Sequence, residues 1–126
     1  MKKMVNLIIA AIFFTSATIA LAGNPHTIYG RVVTAEGSVP LDGNLSFKAY
    51  IQTRPDQVLT GESTGCDYES GWFQVGIGNF SSDWQPGEIM VIEFKLRGSD
   101  QSATVTHTLT TTDPEDLGEI VLKMRN

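Results

Sequence analysis

Residues 44–53 read NLSFKAYIQT. Leu45, Phe47, Ala49 and Ile51 fall on one side of an extended chain, and Ser46, Lys48, Tyr50 and Gln52 on the other. Successive side chains of a strand point to opposite faces. The alternation therefore predicts a strand with one buried and one wet face, as in an antiparallel sheet. Residues 88–97, EIMVIEFKLR, repeat the pattern: Met90, Ile92, Phe94 and Leu96 alternate with Val91, Glu93, Lys95 and Arg97. Residues 103–111 set Val105, His107 and Leu109 against Thr104, Thr106, Thr108 and Thr110. Threonine suits a strand because its branched Cβ packs well on a pleated surface.

Working outward, the same period predicts strands over 27–34, with Ile28, Val32 and Val33; over 72–77, with Phe73, Val75 and Ile77 on one face; and over 118–123, with Ile120 and Leu122 inward. A short strand is expected near 58–63. Turn chemistry separates them: Glu36–Gly43, Arg54-Pro55-Asp56, Asp67–Gly71, Pro86-Gly87, Gly98–Ser102 and Asp113-Pro114-Glu115-Asp116. No long helical period appears. About seven short strands at this spacing predict an all-β fold, a single antiparallel β-sandwich of immunoglobulin-like or transthyretin-like type.

The N-terminus has a separate logic. Lys2 and Lys3 precede an unbroken apolar run, Leu7–Phe14, and Ala20-Leu21-Ala22 supplies small residues for cleavage. This is the three-part pattern of a secretory signal peptide. The run is too short for a bilayer span, which takes about 20 apolar residues, so no stable membrane insertion is expected after cleavage. Residues 1–22 are read as the signal and 23–126 as one β-sandwich domain, exported to the periplasm or the medium. Cleavage removes two of nine basic residues and none of fourteen acidic ones, taking the net charge from −5 to −7. Such a domain has no electrostatic reason to bind nucleic acid. A core of about a hundred residues buries roughly two thirds of its unfolded surface. That suffices without disulfides, and the single cysteine, Cys66, has no internal partner. It is expected to be a buried free thiol.

Several motifs resemble one family of sandwiches. The opening, TIYGRVVTAEGSVPLDGNLSFKAYI, places a turn with Gly37 and Pro40-Leu41-x-Gly43 between two strands. Asp67-x-x-x-Gly71-x-Phe73-x-Val75, Pro86-Gly87-Glu88 and Asp116-Leu117-Gly118-x-Ile120-x-Leu122 follow in order. Together they resemble the carboxypeptidase-regulatory-like and transthyretin-like domains. The stretch STGCDYESGWFQVGIGNFSSDW is similar to repeats of this class in exported proteins of Gram-negative bacteria. The resemblance covers most of 27–123. It implies a β-sandwich and an accessory role outside the cytoplasm.

Chemistry is sparse by comparison. Gly76-x-Gly78 lacks a third glycine, Ser81 standing there, and no helical period follows to meet a phosphate. The chain ends Leu122-Lys123-Met124-Arg125-Asn126, without the Tyr-Arg-Gly-Ser signature of transthyretin-like hydroxyisourate hydrolases. His26 and His107 lack the His-x-His spacing of intradiol dioxygenases. His26 falls in an expected N-terminal tail, and His107 reads as structural. No G-x-S-x-G elbow occurs. Glu62, Asp67 and Glu69 match no calcium loop and read as an acidic turn. No cofactor, metal or catalytic residue is assigned. The expected role is a non-catalytic structural or interaction module for an unknown protein or polysaccharide. The alternative is a carbohydrate-binding domain whose ligand residues are Trp72, Trp84 and Tyr68, and a small transthyretin-like hydrolase ranks third. For the aromatics, Phe73, Phe80 and Trp84 are expected in the core, and periodicity sets Trp72 on the opposite face from Phe73.

Overall fold

The two clearest alternating segments lie side by side in a computed structural model, which describes residues 25–125. They are β2 (Leu45–Ile51) and β6 (Ile89–Leu96), antiparallel neighbours with Phe47 opposite Phe94 and Ala49 opposite Ile92. On one flank of this pair runs β3 (Arg54–Thr60), and on the other β7 (Gln101–Thr108) followed by β9 (Lys123–Met124). The second sheet holds β4 (Asp67–Glu69), β5 (Trp72–Gly76), β1 (Thr27–Val33) and β8 (Glu115–Val121), in that order. The fold is thus an all-β sandwich of a four-stranded and a five-stranded sheet. The predicted signal peptide, residues 1–22, lies outside the described residues.

The core sits where the periods placed it. Phe47 of β2, Phe94 of β6 and Phe73 of β5 meet with ring centroids 5.0–6.2 Å apart, joining the sheets through edge-on and tilted contacts. Such pairs add to the area they bury. Ile28, Val32, Ala49, Ile51, Val75, Ile77, Met90, Ile92, Leu109 and Leu122 complete it, all essentially without solvent contact.

The strand count and some ends depart from expectation, each for a local reason. Nine strands rather than seven occur among the described residues. Arg54-Pro55-Asp56 is not a turn: Ile51 pairs with Arg54, so only Gln52 and Thr53 turn the chain. Pro55 is tolerated because β3 is an edge strand, where a missing N–H costs no ladder bond. Asp67–Glu69 forms β4, and the turn shrinks to Ser70-Gly71, both at positive φ (51° and 94°). Two left-handed residues are what a tight antiparallel hairpin requires. The strand expected over 118–123 starts at Glu115, as β8, and runs parallel to β1, so the sandwich is not wholly antiparallel. An extra residue enters β8 at Leu117-Gly118, opposite Gly30. A Cβ on Gly30 would stand 2.7 Å from Phe73 Cε1 and 2.9 Å from the Gly118 carbonyl, so glycine lets the strands and the core ring close.

Candidate functional site

The four-stranded sheet turns Phe73, Val75, Ile28 and Val32 inward, and its outer face is therefore dictated by the same alternation. Cross-strand register lines that face up in two rows. One runs Glu69, Trp72, Arg31, Glu119 across β4, β5, β1 and β8. The next runs Asp67, Gln74, Tyr29, Asp116. Trp72 is 47% exposed, the largest side chain of the face. Its ring has the Arg31 guanidinium carbon 5.8 Å from the centroid, a cation–π contact. The Tyr29 ring lies 6.2 Å away, tilted by 41°. The opposite sheet presents a different outer face, on which the Tyr50 hydroxyl donates to Glu93 at 2.7 Å and Lys48 sits 3.6 Å from the same carboxylate.

Of the three residues proposed for ligand stacking, only Trp72 faces solvent. Tyr68 pairs with Phe73 in register, is buried, and donates its hydroxyl to the Pro40 carbonyl at 2.6 Å. Trp84 is buried with its ring 4.5 Å from that of His26. The three do not share a surface. Phe80 is buried too, so the loop after β5 closes one end of the sandwich.

A polar cluster that the sequence reading missed lies beside Trp84. His26 is not in a loose tail: it is 4% exposed, and its carbonyl accepts from the Ile77 N–H at 3.0 Å. Its Nε2 meets Glu115 Oε1 at 2.9 Å, while His107 Nε2 meets Glu115 Oε2 at 2.5 Å. The Thr110 N–H donates to Oε1 at 3.2 Å. Burial pushes the Glu115 carboxyl up, but the bonds from His107, His26 and Thr110 outweigh it and hold it below the usual carboxylate range. A carboxylate only accepts, so both imidazoles donate to it through Nε2. The only signal was the presence of two histidines. Glu115 was hidden in an expected turn.

Among the described residues, no group of three or more His, Cys, Asp or Glu is arranged to hold a metal ion. Glu62 and Asp67 line an open cleft of about 680 Å³ together with Asp42, Arg97, Phe47 and Tyr68. Glu69 stands on the outer face opposite Trp72. Gly76 serves a close backbone approach: a Cβ there would lie 3.0 Å from the Gly65 carbonyl. Cys66 is buried and free, and burial pushes its thiol up, against a smaller opposing bond with the Gly76 backbone. No helix among the described residues is long and apolar enough to cross a membrane. No protein-family model matches the chain, and no curated protein is significantly similar to it.

Proposed function

We propose that this chain is an exported, non-catalytic recognition module, and that it binds through the outside of its four-stranded sheet. One observation carries the reading: Trp72 is exposed on an inner strand of a paired, four-strand face, while the other tryptophan is consumed by the core. Large aromatic anchors held on rigid elements are the residues from which binding surfaces draw most of their energy. The non-catalytic half is supported by how the reactive side chains are engaged. Both imidazoles are bonded to Glu115, and the Cys66 thiol is buried against Gly76. Export is supported by the signal-peptide pattern of residues 1–22. The likeness of the turn motifs to carboxypeptidase-regulatory-like and transthyretin-like domains fits an accessory role of this kind.

Two measurements test it. N-terminal sequencing of the protein recovered outside the cytoplasm gives Gly23 if the export reading is right; retention of Met1 there would remove it. Co-sedimentation with cell-envelope material of the producing cells should fall severalfold for Trp72→Ala, with an unchanged melting curve. Equal sedimentation of the variant would move the binding surface elsewhere.

A further inference from the structure

From the chemistry of this face we infer that its ligand is a neutral, hydroxyl-rich polysaccharide. The inference rests on the recognition-face reading above and commits it to one occupant. Three inter-strand gaps of about 4.8 Å make each row about 14 Å long, and two residues along a strand set the rows about 7 Å apart. Two such rows are long enough to seat more than one ring of a polymer chain.

Charge narrows the choice. The two rows carry four carboxylates, Glu69, Asp67, Glu119 and Asp116, against one guanidinium, Arg31. Coulomb repulsion disfavours uronate, sulfated or phosphorylated polymers on such a surface. A cationic partner would be drawn to the acids, but beside the indole it meets the Arg31 guanidinium, a like charge that a neutral ring does not feel. Arg31 already makes the cation–π contact with Trp72, and Glu119 stands beside Arg31 in register.

A neutral sugar meets neither obstacle. The C–H face of a pyranose ring is apolar and packs on an indole or phenol ring, and Trp72 and Tyr29 supply both within 6.2 Å. Its vicinal hydroxyls donate to carboxylates and accept from a guanidinium or amide. Those groups flank the aromatics on both sides, as Glu69, Gln74 and Arg31. Apolar stacking with a few placed polar groups is the usual composition of a specific small-ligand surface.

The test is native electrophoresis of the purified protein through gels containing hydroxyethylcellulose, glucomannan or dextran, with alginate as the anionic polymer. Binding of poly-L-lysine is measured in solution by isothermal titration calorimetry. Retardation by at least one neutral polymer, insensitive to added salt and lost in both Trp72→Ala and Trp72→Gln, supports the inference. The circular dichroism melt of each variant shows that it is folded. Binding of poly-L-lysine or alginate alone, suppressed by salt and dependent on Trp72, overturns the neutral-sugar assignment and leaves the recognition face standing. Neutral-polymer binding that survives both substitutions overturns the face. Failure to bind any of these polymers overturns the sugar assignment.

Discussion

His26 Nε2 lies 2.9 Å from Glu115 Oε1, although 89 residues separate them in sequence. His26 precedes β1 and Glu115 opens β8, so the bond fastens the start of the four-stranded sheet. The second oxygen of the same carboxylate takes His107 of β7, in the other sheet. One buried side chain therefore clasps three strand ends across the sandwich.

Replacing the carboxylate tests the clasp, and pH tests its sign. Glu115→Gln should destabilise by about 1.5–3 kcal/mol at neutral pH, the usual worth of hydrogen bonds to a charged group. Hydrogen bonds from both histidines and from Thr110 hold the folded carboxyl below its ordinary value despite burial. A depressed folded pKa gives stability that is fully present above the unfolded value, about 4.3, and is lost as pH falls through the lower folded value. The gap in urea midpoints between wild type and Glu115→Gln should thus close in acid, at and below about pH 4. A gap that persists unchanged down to the lowest pH at which both proteins fold would place its source elsewhere.

Gly30 carries a second, sharper constraint. A methyl group there would press on the buried Phe73 ring and on the Gly118 carbonyl at less than 3 Å. Neither can retreat without disturbing the aromatic core or the β1–β8 pairing. Gly30→Ala should cost about 1–3 kcal/mol, the range of overpacked cores, seen as a lower denaturation midpoint. A midpoint equal to wild type would mean that the strands separate more easily than their packing implies.

These two cases show what alternation reveals and what it hides. Leu45, Phe47, Ala49 and Ile51 could be assigned inward from sequence because the period of two is strict wherever one face is buried. The same rule set Trp72 on the face opposite Phe73. Parallel pairing of β1 with β8 leaves no such mark, since it joins segments over eighty residues apart and no turn announces it. Pro55 and Pro114 both read as turn residues by composition, yet Pro55 lies inside β3 and Pro114 directly precedes β8. The Glu115 clasp was illegible for that reason: a polar residue inside a Pro-containing cluster reads as solvated until β8 is extended to include it.

Cys66 offers a prediction about reactivity. Its thiol is buried and pushed above its ordinary pKa, so both access and the thiolate fraction are low at neutral pH. Labelling with a maleimide should be slow in the native protein and should rise along the urea unfolding curve. Non-reducing electrophoresis should show a monomer. Fast native labelling, or a disulfide-linked dimer, would show that the site opens without unfolding.

The two tryptophans should separate structure from recognition. Trp84 is 6% exposed and packs on His26, itself bonded to Glu115, so its removal leaves a void beside the clasp. Trp84→Ala should lower stability by about 3–5 kcal/mol, as loss of a buried large aromatic does. That is a large share of the 5–15 kcal/mol of a typical domain. Trp72 loses only cross-strand contacts with Tyr29 and Arg31 on an exposed face. Trp72→Ala should cost about 1 kcal/mol or less, the range for such pairs. Fluorescence reports the same division, because the sequence holds only these two tryptophans. Trp84→Phe should leave a red-shifted emission readily quenched by acrylamide, and Trp72→Phe a blue-shifted one that resists it. If Trp72→Ala instead proved the more destabilising of the two alanine variants, the outer face would be a structural element, and its exposed ring would no longer argue for a ligand.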